Sequence, residues 1–207
     1  MLQFDTYYHI YNHANGDDNL FREQKNYPFF LAKYHQHIDP IANTIAYCLM
    51  PNHFHLLIKI KTEAEVAVNL PQAFLKFGTL EKLEEIEEAK KKFLSKQFSN
   101  FFSSYSQAFN KVYHRRGSLF IKNFKRKEIA NENYLRTVIV YIHLNPIKHG
   151  FVTQIADWEW SSFQQFHNSH PDLAAHLFGT TIDFHSIHTA KQQNFETYIA
   201  LENELTT

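Results

Sequence analysis

Hydrophobic and polar positions along this chain follow two periods, and the switches between them mark out its elements. Thr6 to His13 alternates in the two-residue period of a strand. Ile41 to Leu49 and His53 to Ile60 are two further apolar runs, joined by Met50-Pro51-Asn52, which reads as a hairpin turn. From Arg22 to about His37, Phe29, Phe30, Leu31 and Tyr34 fit a helix despite Pro28. The pattern is helical again from Pro71 to His114, where Leu83, Ile86, Phe93, Phe101, Phe102, Tyr105 and Phe109 recur mostly at helical spacings. Gly117 ends that stretch, and Lys125 to Ile129 supplies a fourth strand. A last helix, Asn133 to Asn145, carries Leu135, Val138, Ile139, Ile142 and Leu144, with Asn131 as its N-cap and Pro146 followed by Gly150 as its close. The order strand–helix–strand–strand–helix–strand is the ferredoxin-like βαββαβ arrangement, an α+β fold with a largely antiparallel sheet.

Two places in this pattern carry candidate chemistry. Side chains alternate along a strand, so His53 and His55 share one face while Phe54 points into the core. Two imidazoles one residue apart on a face can grip one divalent metal ion. The plainer reading is a pair of ordinary strand histidines. On the last helix, Tyr141 and Asn145 are four residues apart and lie on one face, with His143 directed elsewhere. A helix tyrosine is most often a core or rim residue, and Tyr141 gains interest only in company with His53 and His55.

Several blocks, in order, strengthen that pairing: Tyr8-His-Ile-Tyr-Asn-His13 with Asn19-Leu-Phe-Arg22, Ala46-Tyr-Cys-Leu-Met-Pro-Asn-His-Phe-His-Leu-Leu57, Arg116-Gly-Ser-Leu-Phe120 with Phe124-Lys-Arg126, Tyr141-Ile-His-Leu-Asn-Pro-Ile-Lys-His-Gly150, and Trp158-Glu-Trp-Ser-Ser-Phe163. Together they resemble the single-tyrosine HUH transposases of bacterial insertion sequences, and more closely the REP-associated tyrosine transposases. The resemblance covers most of residues 5–165. It implies a single catalytic domain over 1–166, with an inserted helical region at about 63–112 suited to dimerisation or DNA contact, and a C-terminal extension over 167–207.

The resemblance also implies a reaction. Tyr141 would be the nucleophile, and His53, His55 and Asn145 would hold one Mg²⁺ or Mn²⁺ against a scissile phosphodiester. The partner would be single-stranded DNA folded into hairpin or palindromic repeats, and a second copy of the chain is a further candidate partner. The location would be the bacterial cytoplasm, at the nucleoid. Two other readings of the same residues stand beside it: a DNA-binding protein that keeps the fold without the chemistry, and a metal-dependent nuclease acting through water.

Composition sets bounds on these readings. A chain of 207 residues can bury one sizeable core. Cys48, the single cysteine, excludes an intramolecular disulfide and reads as a buried thiol in a reducing cytosol. No apolar run approaches the roughly 18 residues of a membrane span, and no signal-peptide pattern opens the chain, so neither membrane nor export is expected. With five glycines and no phosphate-cradling loop, no nucleotide cofactor is expected. The histidines beyond Phe166 (His167, His170, His176, His185 and His188) match no zinc spacing.

The formal net charge is zero, but charge is segregated. Glu81 to Glu88 is rich in carboxylates, whereas Lys111 to Lys127 carries Lys111, Arg115, Arg116, Lys122, Lys125, Arg126 and Lys127 with no acid among them. Cations neutralise phosphates and rings stack on unpaired bases, so Arg115, Arg116, Lys122, Lys125, Arg126 and Lys127, with Phe120 and Phe124, form the candidate DNA path. The plain alternative is a solvated basic loop.

Overall fold

The computed structural model describes residues 1–67 and 83–192. Four strands, β1 (Tyr7–His13), β2 (Ala42–Met50), β3 (His53–Ile60) and β4 (Lys125–Glu128), form one sheet in the order β2-β3-β1-β4. Every neighbouring pair is antiparallel. With α1 (Asn26–Ile38) between β1 and β2, and α3 (Leu83–Val112) between β3 and β4, this is the α+β arrangement expected from the pattern. A short helix, α2 (Glu63–Ala67), follows β3. The part of the helical reading that falls on 71–82, and the end of the C-terminal extension beyond 192, lie outside the described residues.

The sheet is covered on both faces. On one, Tyr8 and Ile10 of β1 and Phe54, Leu56, Ile58 and Ile60 of β3 pack under Phe30, Tyr34 and Ile38 of α1 and Leu94, Phe98, Phe101, Tyr105 and Phe109 of α3. Within the segment 63–112, read from the sequence as an insertion, the described residues Val66 and Leu94 to Phe109 thus contribute to the main core. On the other face, Tyr11, Ala46, Cys48, Met50 and Leu57 pack under α4 (Glu132–Lys148). A register shift between Thr44 and Ala46 lets Ile45 and Ala46 join that same cluster. Phe120 lies in the first core, its ring 5.0 Å from that of Phe102 and 6.1 Å from that of Tyr105. It is therefore withdrawn from the DNA path: a ring enclosed by its own core has no face to offer a base.

α4 starts as expected, with the Asn131 side chain accepting a hydrogen bond from the Tyr134 backbone N–H. It ends later than expected. Pro146 lies inside the helix, which runs on to Lys148. The stop is made by Gly150 at φ +70°, where Gly150 N bonds Ile147 O and Phe151 N bonds Pro146 O. That pair of bonds is the Schellman close, which needs a left-handed residue that glycine supplies without a Cβ clash.

Three helices, α5 (Phe166–Ser169), α6 (Pro171–Phe178) and α7 (Thr181–Gln192), follow and add Phe166, Phe178 and Phe184 to the second core. The Trp158-to-Phe163 segment runs along the edge of β2: Leu49 N bonds Trp160 O, Ser162 N bonds Tyr47 O, and Trp158 Nε1 donates to Leu49 O. A buried chain of hydrogen bonds then ties this edge to α4 and α7. Tyr47 N donates to Ser162 Oγ at 2.8 Å, and Ser162 Oγ lies 2.9 Å from His143 Nε2. His143 Nδ1 lies 3.1 Å from His188 Nε2, and His188 Nδ1 donates to Phe184 O at 2.8 Å. The last bond fixes His188 Nε2 as an acceptor, so His143 Nδ1 donates to it and His143 Nε2 accepts from Ser162. Both rings are neutral: burial, then the His188 ring, holds His143 well below its ordinary value, and burial, outweighing the bond to Phe184 O and aided by His185 and His167, brings His188 down to about 4.

This packing has two measurable consequences. Above pH ~6.5 these histidines are neutral folded or unfolded; below it the unfolded chain takes up protons that the folded chain refuses. Urea denaturation should therefore show stability falling from pH 6.5 towards 4, by up to about 1.4 kcal/mol per pH unit for each such histidine. His188→Gln should lower stability yet make that slope shallower, and a slope left unchanged would contradict a neutral His188. Separately, Phe120→Ala should cost about 3–5 kcal/mol in the same assay. Ile121→Ala, at a position 46% exposed, should cost much less.

Candidate active site

Antiparallel pairing decides what surrounds His53 and His55. β1 lies beside β3 with Tyr11 opposite His55 and His13 opposite His53. Opposed residues share a face of the sheet. His9, Tyr11 and His13 therefore join His53 and His55 on the face covered by α4. His9 Nε2 lies 3.0 Å from His55 Nδ1, and both residues are buried. His13 stacks on His53 with ring centroids 4.4 Å apart, and His149, just past α4, meets His53 at 4.9 Å.

Tyr141 is buried and comes edge-on to His55 at 5.4 Å and to His9 at 5.9 Å. The structure thus brings together the predicted tyrosine and the predicted histidine pair within one chain. One turn along α4, Asn145 Nδ2 donates to Tyr141 O at 2.8 Å, while Asn145 Oδ1 is buried with no hydrogen-bond partner among the described residues. Two turns along, the Lys148 ammonium lies 5.7 Å from the centre of the Tyr141 ring. His143, directed away as expected, belongs to the buried chain beneath α7.

All three central imidazoles are held neutral. Burial, then the nearby His13, His149 and Lys148, brings His53 down to about 3. Burial and the Lys127 cation do the same to His9, also to about 3. Burial, then His9 and His53, puts His55 well below its ordinary value. A neutral imidazole is the metal-binding form. His53 Nδ1 lies 2.7 Å from Asn52 Oδ1, an oxygen that can only accept, so His53 carries its proton on Nδ1 and a lone pair on Nε2.

These features fit a divalent cation. Among the described residues no three His, Cys, Asp or Glu side chains converge as a metal site. A third protein donor therefore rests on an amide, and the buried unpartnered oxygen of Asn145 is of the right chemistry. Two imidazoles and one amide oxygen leave a shell open for substrate and water.

The basic set divides. Lys125 and Lys127 stand opposite Tyr11 and His9 across β1 and β4, on the face of the site. Arg126 is on the other face, with its guanidinium 5.8 Å from the Phe124 ring. Lys122, Lys125, Arg126 and Arg116 are exposed. Arg115 is committed elsewhere: it pairs with Asp18 through Nε and bonds Asn110 Oδ1 and Ser118 O. Asp18 also receives Arg22 at 2.9 Å. Burial alone would raise the Asp18 carboxyl, but the bonds from Arg22, Asn19 and Arg115 outweigh it and keep the carboxyl low. Arg115 is thus withdrawn from the DNA path as a tether of its own loop. Phe124 is half-buried against Phe98 at 5.1 Å and Phe102 at 5.4 Å.

Sequence reasoning passed over His9, Asn52 and Lys148. The alternation in β1 that made Thr6 to His13 a strand also sets His9, Tyr11 and His13 on one face, a signal carried by the amino-acid pattern itself. Lys148 was hidden by ending the helix at Pro146.

No protein-family model matches the chain. A protein of Haemophilus influenzae named as a REP-associated tyrosine transposase is 25% identical over 138 residues, covering 65% of this chain and 63% of that protein. The chain thus spans less than two thirds of that relative's length. The REP-associated tyrosine transposase of Escherichia coli is 27% identical over 130 residues, covering 60% of this chain and 67% of that one. A solved structure of a REP-associated tyrosine transposase bound to a REP hairpin shares the fold with a TM-score of 0.55 and 18% identity, over 86% of this chain and 84% of that one. In sequence and in fold, the chain is similar to the REP-associated tyrosine transposases.

Proposed function

We propose that this chain is a transposase-type endonuclease and strand transferase that cuts single-stranded DNA near hairpins, with Tyr141 as its nucleophile. The observation that carries this reading is the contact of Tyr141 with the neutral His9–His55 pair inside one chain. The names of the relatives, and the REP hairpin bound to the structural neighbour, support the choice of substrate.

His53, His55 and Asn145 would hold one Mg²⁺ or Mn²⁺, which when bound supplies positive charge to a non-bridging oxygen and to the leaving 3′ oxygen of a phosphodiester. Tyr141 Oη gives its proton to solvent water and attacks phosphorus in line, and water returns a proton to the departing O3′. The P–O3′ bond breaks, so one fragment leaves with a 3′-OH and the other stays on Tyr141 as a 5′-phosphotyrosine. The Lys148 ammonium, 5.7 Å from the centre of the Tyr141 ring, places a positive charge beside the nucleophile and the phosphodiester it would attack. Rejoining is the same step in reverse, with the 3′-OH attacking the phosphotyrosine, so no nucleotide cofactor enters. Lys125, Lys127 and their exposed neighbours track the phosphates of the strand as it approaches. Tyr141 lies against His55 and His9 of its own chain, which supports a nucleophile used within one copy. The reaction belongs in the bacterial cytoplasm, at the nucleoid.

A denaturing gel of the protein with an end-labelled hairpin oligonucleotide tests this. Wild-type protein with Mg²⁺ or Mn²⁺ should give a covalent protein–DNA adduct, and chelator should abolish it. Tyr141→Phe should bind the hairpin with unchanged affinity and form no adduct. From the wild-type protein, released fragments without an adduct would instead favour hydrolysis by water, and binding without any product a non-catalytic DNA-binding protein. His53→Ala or His55→Ala should abolish cleavage, with Asn145→Ala weaker in effect because an amide oxygen is the poorer ligand. Changing Lys122, Lys125 and Arg126 together to Ala should weaken binding of every sequence and reduce the slope of log affinity against log salt by about 2. An unchanged slope would remove β4 and its loop from the DNA path.

A further inference from the structure

His9 takes no part in that reaction, yet it is fully enclosed beside it. It is fully buried on β1, its Nδ1 has no hydrogen-bond partner among the described residues, and its Nε2 is 3.0 Å from His55 Nδ1. A neutral imidazole pair at that distance shares one proton in one of two ways. If His9 Nε2 donates, His55 accepts on Nδ1, carries its own proton on Nε2, and has no lone pair left for a cation. If His55 Nδ1 donates, His9 accepts, and His55 Nε2 is bare. Both arrangements are neutral overall, so the choice is between tautomers and not between charge states.

The sister histidine shows which arrangement a metal-binding imidazole here takes. His53 Nδ1 donates to Asn52 Oδ1 at 2.7 Å, a partner that can only accept. We infer that His9 is a positioning residue that accepts the Nδ1 proton of His55, holding that ring as the tautomer whose Nε2 faces a cation. The inference rests on the proposed role of His53, His55 and Asn145 as metal ligands. His9 itself touches neither cation nor substrate. It acts by orienting a ligand and choosing its proton, as outer carboxylates and carbonyls do for ligating histidines elsewhere. Its ring, 5.9 Å from Tyr141 and 5.1 Å from Tyr11, is held by packing on both sides, so the acceptor is in place before a cation arrives.

The test uses the full chain and two readouts other than cleavage. Long-range ¹H–¹⁵N spectra of Mg²⁺-loaded wild-type protein should show His55 protonated on Nδ1, and His9→Phe should release it from that tautomer. Calorimetric titration with Mn²⁺ should show affinity falling by about 10–100-fold in His9→Phe. His9→Gln, whose amide oxygen can accept the same proton, should recover most of that loss, which a purely space-filling role would not explain. The measurement on wild-type protein stands even if His9→Phe fails to fold. Mn²⁺ affinity unchanged in a folded His9→Phe would overturn the role of His9 while leaving the metal assignment intact, whereas His55 protonated on Nε2 in the loaded wild type would overturn both the role of His9 and that of His55 as a ligand. Wild-type protein that binds no Mn²⁺ at all would overturn the metal assignment itself and this role with it.

Discussion

A strand has two faces, and a residue cannot choose between them independently of its neighbours. In most antiparallel sheets this matters on one side only, because the other is wet. Here β3 is covered on both sides, by α1 and α3 on one and by α4 on the other. Each even position from Phe54 to Ile60 must then fill one core, and each odd position enters the other layer. His53 and His55 are confined to the α4 side by the same rule that buries Phe54. A shift of one residue in the pairing of β3 would exchange the two sets and place imidazoles among the phenylalanines of α3, a loss of many kcal/mol in stranded polar groups. The core therefore guards the register, and the register guards the histidines.

This explains which parts could be read from the chain alone. The strands and the His53–His55 pair were accessible because a period of two is a local property. Tyr141 and Asn145 were accessible for the matching reason on a helix. What local pattern does not contain is the identity of the strand alongside. Nothing near His55 says that β1 lies next to it in the register that sets His9 against it, and this pairing spans 46 residues. Arg115 was misread for a similar reason, since its partner Asp18 lies 97 residues earlier. Phe120 stands in a basic stretch and looks exposed by its company, but its contacts are with Phe54, Phe102 and Tyr105. Composition reports the neighbours in sequence, whereas burial depends on neighbours in space.

Electrostatics at the site is arranged by enclosure more than by pairing. His9, His53 and His55 crowd together and none carries a carboxylate partner among the described residues; burial keeps them uncharged, and Lys127 and Lys148 add to the effect. A cluster of this kind is poor at holding its own charge and well suited to receiving a charge from outside. The neutral total of the chain hides this, because the cations that matter are few and stand at one border of the sheet.

That border bears on more than the site. The two outer strands of the sheet are treated differently. β2 is closed off by the Trp158-to-Phe163 segment, while β4, the other outer strand among the described residues, reads Lys-Arg-Lys-Glu. An unpaired strand invites another strand to add to it, and a row of lysines is a common defence. Charges that suit a phosphate backbone would thus also keep one molecule from zipping onto the next. Relaxing selection for DNA would not free these positions to drift, since neutral residues there would expose the sheet to growth. A chain of this fold that bound DNA without cutting it would be expected to keep the same cationic outer strand, so that strand alone is a poor guide to whether a chain carries the chemistry.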